Sequence, residues 1–204
     1  MKCGSNLWQS PATHMKKTIF SAFLLAWAVT HPAVAAETYE VVPIESFVLF
    51  RAIGLGTHYV YGRFTGGLSG TVSFDSAAPD KSAIALSVKA DTLDTGFAQR
   101  DKDLKSPDFL NVKQFPVVTF KSTSVQKVTD QQYTVTGDLT FHGVTKPLTV
   151  QANIIGQGKG MKGESLIGAE VHFTLKRSEY GVNYGLPGVG DDVDLTVAVS
   201  AAHK

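Results

Sequence analysis

The chain has 204 residues, of which 43% are hydrophobic and 18% are charged, and its formal net charge is +1. This balance excludes the strongly basic surface with which proteins attract nucleic acid. The length and apolar content predict one folded domain with a substantial core.

The N-terminal segment is typical of an export signal. Met15-Lys16-Lys17 begins a short basic stretch, residues 19–29 are largely apolar, and Ala33-Val34-Ala35 supplies the small residues that a signal peptidase recognises. We therefore predict a Sec-type signal peptide over residues 15–36 and a location in the periplasm. Residues 1–14 are interpreted as an upstream extension that takes no part in the fold.

The predicted mature domain covers residues 37–204 and contains no cysteine, since Cys3 precedes the cleavage point. A chain of this length folds without disulfides even where they are permitted. Its 16 basic and 18 acidic residues give a net charge of −2, so no nucleic-acid partner is expected. We also expect no transmembrane segment in the mature chain, because no stretch approaches the roughly 20 apolar residues that a spanning helix requires.

Strand patterns occupy most of the mature chain. Apolar and polar residues alternate with a period of two in most of them, which is typical of antiparallel strands with one buried face. One stretch, 47–53, is instead apolar on both faces. The predicted strands lie at residues 47–53, 68–74, 84–90, 118–128, 133–141, 148–154, 167–175 and 193–199.

One segment, residues 95–106, has a helical pattern. Phe97, Arg100 and Leu104 recur at helical spacing, and Pro107 ends the helix. Strands and helices do not alternate, so a parallel sheet is not expected. The prediction is an all-β fold, an antiparallel sheet of about eight strands with one short helix. The pattern alone leaves a sandwich and a closed barrel open.

Four sequence blocks resemble the YceI-like family of exported lipid-binding proteins, and together they span residue 39 to the C-terminus. The third is the most diagnostic. The blocks are Tyr61-Gly62-Arg63-Phe64 with Leu68-Ser69-Gly70; Asp94-Thr95-Gly96 with Arg100-Asp101, Leu104, Ser106, Asp108-Phe109, Phe115-Pro116 and Thr119-Phe120-Lys121-Ser122-Thr123; Gly137-Asp138-Leu139-Thr140 with His142-Gly143-Val144-Thr145-Lys146-Pro147; and Arg177-Ser178-Glu179-Tyr180-Gly181.

The resemblance implies an extended, lipocalin-like antiparallel β-barrel of about eight strands around a long apolar tunnel. It also implies a periplasmic carrier that is not an enzyme and has no cofactor. The ligand would be a long-chain isoprenoid lipid, such as a polyprenyl phosphate or an isoprenoid quinone. The sequence leaves a homodimer open.

Apolar residues at strand positions are the candidates for contact with the lipid tail. For each one taken singly, plain core packing is the favoured interpretation, because core and tunnel residues share the inner face. The chain nevertheless has 12 Phe and 6 Tyr, more aromatic surface than a filled barrel of eight strands needs. The candidates are Phe47, Phe50, Val72, Phe74, Leu86, Phe120, Val135, Leu139, Phe141 and Phe173.

Three arginines in the matched blocks, Arg63, Arg100 and Arg177, are interpreted either as salt-bridge partners or as contacts for a ligand head group. Arg100 is the candidate for the head group, since a guanidinium binds oxygen acceptors with two parallel donors. Asp103 occupies a position where relatives often have histidine. If that position contacts the head group, its acid favours a neutral head over a phosphate.

No catalytic or metal site is predicted. His142 is expected to hold its turn through a backbone hydrogen bond, and no histidine pair has the spacing of metal ligands. Residues 181–190 are more typical of a loop at the barrel rim than of a phosphate-binding loop. Two alternative functions remain at this stage: a small secreted hydrolase, and a ligand-free envelope protein related to stress.

Overall fold

The computed structural model describes residues 36–203. The predicted upstream extension and, apart from Ala36, the predicted signal peptide lie outside the described residues. The strands are β1 (Glu37–Val41), β2 (Phe47–Gly54), β3 (His58–Phe64), β4 (Leu68–Phe74), β5 (Ala83–Lys89), β6 (Leu93–Asp94), β7 (Val117–Lys127), β8 (Gln132–Phe141), β9 (Val144–Lys159), β10 (Ser165–Lys176) and β11 (Asp192–His203), with one helix, α1 (Ala98–Lys105).

The sheet closes into a barrel. Eight strands follow one another in the order β1-β4-β5-β7-β8-β9-β10-β11, and β11 then pairs with β1 through Glu40 opposite Ala202. All of these pairings are antiparallel. The predicted all-β barrel of about eight strands is therefore confirmed, and closure decides against a sandwich.

Strands β2, β3 and β6 extend the wall at one end of the barrel. Strand β11 pairs with β1 near its C-terminal end and with β2 from Val193 to Ala198, so β1 and β2 follow one another along the same edge. Ser46, which is 1% exposed, lies where β1 gives way to β2. Its hydroxyl donates to the carbonyl of Ser200 and accepts from the Ser200 amide. These two bonds take the place of ladder bonds at the break.

All eight predicted strands form, and β1, β3 and β6 add to them. In β3 apolar and polar residues do not alternate, because the exposed residues Tyr59 and Tyr61 on its outer face are aromatic. Val60 and Gly62 face the other way. Strand β6 has two residues, too few for a period of two to be visible.

The hairpin between β8 and β9 turns on two residues. His142 and Gly143 have φ angles of 50° and 76°, the left-handed pair that a type I′ turn requires. Val144 already belongs to β9, and Pro147 lies in that strand opposite Asp138. Pro147 is tolerated because this part of β9 pairs with β8 alone, since pairing with β10 begins only at Ala152.

Helix α1 is shorter than the predicted segment. It begins at Ala98 because Asp101 folds back on the preceding loop, where its carboxylate accepts the amide and the hydroxyl of Thr95 at 2.8 and 2.5 Å. No helix residue is buried. The helix therefore lies over the barrel as a cover, and only Leu104 from it faces the interior.

Candidate ligand-binding cavity

The barrel encloses a cavity of about 300 Å³. Every described strand except β1 contributes to its wall, and nearly all of the lining atoms are apolar. This follows from the period of two, since alternate residues of each strand project inward. The volume lies at the lower end of the range of about 300–1,000 Å³ typical of small-molecule sites.

The cavity is elongated along the strands. On β10 its lining runs through alternate residues from Ile167 to Leu175, which spans roughly 26 Å of strand at about 3.3 Å per residue. One end lies near Tyr133 and Ile154. The other end is covered by Leu104 of α1 and by the segment that follows the helix.

Nine of the ten apolar candidates line this single cavity. The structure brings them together from six strands, since each occupies an inward position of its strand. Contact with a ligand stays a prediction for all of them. The nine are Phe50, Val72, Phe74, Leu86, Phe120, Val135, Leu139, Phe141 and Phe173.

The tenth candidate, Phe47, does not line the cavity. It is 46% exposed and lies on the outer face of β2, whereas its neighbour Val48 is 5% exposed and lines the interior. Its expected place on the inner face is therefore wrong. Phe47 and Phe50 are three residues apart, and a regular strand turns such a pair to opposite faces.

Arg100 does not reach the cavity either. Its Nε donates to the hydroxyl of Thr95 at 2.8 Å and its Nη2 to the Thr95 carbonyl at 3.0 Å, while its guanidinium lies 5.8 Å from the centre of the Phe97 ring. These bonds hold α1 against the loop before it. Arg100 therefore does not line the cavity, and its contact with a head group at the mouth stays a prediction. Asp103 is likewise exposed and bonded to Gln99 at 2.9 Å, so its charge does not bear on the cavity.

Arg63 forms a salt bridge, as one of its two interpretations predicts. Its Nη2 lies 3.1 Å from a carboxylate oxygen of Asp94 on the neighbouring strand β6. Both side chains are exposed, so the pair contributes little to stability.

Arg177 lines the cavity and is 5% exposed. It forms no salt bridge with Glu179, whose carboxylate instead pairs with Lys146 at 3.1 Å. Its guanidinium donates to three backbone carbonyls of the rim loop, those of Val182, Val189 and Gly190, each at 2.8 Å. Burial lowers the pKa of this guanidinium from its usual value.

The residue just before the rim loop (residues 181–190) is also held from outside. The imidazole of His142 donates through Nδ1 to the carbonyl of Tyr180 at 3.0 Å, and its ring lies 4.3 Å from that of Phe115. Within residues 36–203 the buried Nε2 of His142 has no hydrogen-bond partner. His142 therefore bonds a backbone carbonyl, as expected, but that carbonyl belongs to another segment rather than to its own turn.

Residues 36–203 were also compared with the requirements of a metal site and of a membrane-spanning helix. No three His, Cys, Asp or Glu side chains among them come together in an arrangement that could hold a metal ion. No helix in this range is long and apolar enough to cross a bilayer.

A closed antiparallel barrel around an apolar cavity defines the class of lipocalin-like barrels. Within that class, the YceI-like domain matches residues 39–201, and the chain belongs to the YceI-like family. It is 34% identical over 192 residues to Protein YceI of Salmonella arizonae, a match that covers 93% of this chain and all of that protein.

Solved structures have the same barrel. The YCEI protein of Campylobacter jejuni, 29% identical, superposes with a TM-score of 0.65 over 71% of this chain and 85% of that one. BcnA of Burkholderia cenocepacia gives a TM-score of 0.71 at 22% identity over 79% of this chain and 99% of that one. A polyisoprenoid binding domain from Saccharophagus degradans gives 0.65 at 16% identity, over 81% and 98%. At these identities the last two show the fold alone.

Proposed function

We propose that the mature protein is a periplasmic carrier, and not an enzyme, that buries the tail of a long-chain isoprenoid lipid in the barrel cavity. A polyprenyl phosphate or an isoprenoid quinone is the ligand class. The observation that carries the proposal is the elongated apolar cavity of about 300 Å³. The description of the structural neighbour from Saccharophagus degradans as a polyisoprenoid binding domain supports the same ligand class.

The physical basis is the transfer of the tail out of water. Each buried CH₂ group contributes about 0.8 kcal/mol before the loss of ligand freedom is subtracted. The cavity is limited to about 300 Å³ and to roughly 26 Å along β10, so it encloses a tail only up to that size. Longer tails must displace side chains or extend through an end of the barrel, so affinity should rise with tail length and then level off.

The alternatives receive less support. A ligand-free barrel filled by its own side chains does not fit an interior that retains a cavity of about 300 Å³. For a hydrolase, the candidate base would be His142, but its Nδ1 is bonded to a backbone carbonyl and its ring lies against Phe115.

The test is mass spectrometry of lipid extracted from protein purified from the periplasm without detergent. A co-purified isoprenoid amphiphile, in amounts approaching one per chain, is the expected result. Protein that carries none, and that also fails to take up added prenols or quinones, would refute the proposal.

A further inference from the structure

We propose that the ring of Tyr133 limits the length of tail that the barrel encloses, because it closes the end of the cavity that lies away from α1. Tyr133 thereby selects lipids by the length of their tails. The inference rests on the proposed function, since it concerns the tail of the same ligand. With a smaller residue at this position, a longer tail would pass the end of the barrel and enter a second pocket outside it.

The first observation is that two hollows meet at Tyr133. Beyond this end of the barrel lies a second pocket of about 400 Å³, formed by the β7–β8 turn, by the segment after β4 and by β9. Of the described residues, only Tyr133 and Ile154 line both this pocket and the central cavity. These two residues therefore form the partition between the two spaces.

The second observation is the position of the ring within the partition. Tyr133 occupies the first inward-facing position of β8 and is 2% exposed. Its ring packs edge-on against that of Phe74, with the two centroids 5.3 Å apart. Val135, the next inward-facing residue, lines the cavity but not the outer pocket. The ring of Tyr133 therefore belongs to the last layer of side chains before the barrel end, and it fills space that a small side chain would leave open.

The third observation is the change in polarity across the ring. The cavity wall is almost wholly apolar, whereas the outer pocket is lined by polar side chains, among them Ser76, Gln131 and Gln157. Lys127 and Asp130, which also line the outer pocket, form a salt bridge at 2.8 Å. Because tail binding draws its free energy from the removal of apolar surface from water, the favourable part of the path ends at the ring.

The opposite end of the cavity does not depend on one side chain. Residues from helix α1, from the segment that follows it and from the rim loop line the cavity there, including Leu104, Phe109 and Val182 respectively. Truncation of any one of them leaves the other two segments in place. The partition at Tyr133 has only two residues, so a single substitution there changes the enclosed length.

The experiment measures the affinities of isoprenoid alcohols with C15, C20, C30 and C40 tails by competition against a fluorescent apolar probe. In the wild-type protein, affinity should rise with tail length and level off once the tail fills the cavity. Tyr133→Ala should raise the affinity for alcohols beyond that length about 10-fold or more, since further CH₂ groups become buried where the ring was. The affinity for the C15 alcohol should change less than about threefold.

Two control variants separate the length of the cavity from its width and from the tyrosine hydroxyl. Phe120→Ala removes a ring from the wall opposite Leu139, which lies roughly 20 Å along β8 from Tyr133. This variant should widen the cavity and leave the levelling length unchanged. Tyr133→Phe keeps the ring and should bind the four alcohols as the wild-type protein does.

The outcomes distinguish this inference from the proposed function. An unchanged levelling length in folded Tyr133→Ala protein, or an equal shift in Phe120→Ala, would overturn the inference while leaving the proposed function standing. Failure of all four alcohols to bind to the wild-type protein would overturn both.

Because Tyr133→Ala also removes a ring from the core, a second measurement uses the wild-type protein alone. A C20 alcohol with a photoreactive diazirine at the far end of its tail should label Phe74, Tyr133 or Ile154, as located by mass spectrometry of peptides. Labelling elsewhere, for example at Leu104 or Phe109, contradicts the assignment of this end to the tail.

Discussion

Filling the cavity from within should abolish tail binding without unfolding the protein. Ala169 on β10 lines the cavity, and its replacement by phenylalanine directs a ring into the void. Ala198 on β11 is the matched control. It lies opposite Phe47, on the outer face of the barrel, so Ala198→Phe adds the same ring outside.

The expected loss of prenol affinity in Ala169→Phe follows from the tail carbons that the new ring excludes. The substitution adds six ring carbons, which project into the cavity of about 300 Å³ and displace tail carbons from it. Exclusion of six tail carbons removes about 5 kcal/mol of gross transfer free energy at about 0.8 kcal/mol each. If about half of this is realised after the costs of binding, the binding free energy falls by roughly 2.5 kcal/mol, or about 60-fold in affinity.

The assay is competition by a C15 prenol against a fluorescent apolar probe, with thermal unfolding measured in parallel. Ala169→Phe should lose prenol affinity with little loss of Tm, because the ring enters empty space rather than a packed core. Ala198→Phe should bind as the wild-type protein does. A folded Ala169→Phe protein with unchanged prenol affinity would show that the tail lies elsewhere.

Three further predictions concern the turns and connections around the barrel. Gly143→Ala should destabilise the protein by more than about 2 kcal/mol in urea unfolding, because the residue has φ +76° and a Cβ would lie 2.5 Å from the Phe115 ring. Gly163→Ala, with φ +84° and no atom within 4 Å of the new Cβ, should show the backbone strain alone, about 1 kcal/mol. His142→Ala should lower stability by about 1–2 kcal/mol and speed hydrogen exchange in the rim loop, since it removes the bond to the β10–β11 connection. The backbone and hydroxyl bonds from Ser178 hold the pKa of Asp191 below its usual value, so its stabilising contribution should be lost as the pH falls below about 4, and Asp191→Asn should flatten that part of the Tm–pH profile.

For each of these variants, one experimental result would contradict the expected effect. Equal costs for Gly143→Ala and Gly163→Ala would show that the Phe115 ring moves freely out of the way. Unchanged exchange in the rim loop of His142→Ala would mean that the imidazole does not anchor the connection. An unaltered acid limb of the Tm–pH profile in Asp191→Asn would assign the pH dependence to other carboxylates.

The inner face of the barrel was predictable from sequence because alternation is a local property. Val135, Leu139 and Phe141 occur at even spacing on β8, and all three line the cavity. The same reasoning failed for Phe47, because β2 is apolar on both faces and composition does not distinguish the inner face from the outer one. The parity of Val48, Phe50 and Ala52, which all line the cavity, decides it.

Eight of the eleven strands, the inward face of those that alternate and, through the matched blocks, the family were predictable from the sequence. Tertiary structure alone decided closure, since the pairing of Glu40 with Ala202 joins residues far apart in the chain. It also decided which arginine meets the cavity. Arg100 and Arg177 carry the same charge in similarly matched blocks, but Arg177 is buried among loop carbonyls that reach it only when β10 and β11 pair. The burial of a charge depends on segments that pack around it from elsewhere in the chain, and no local pattern encodes that arrangement.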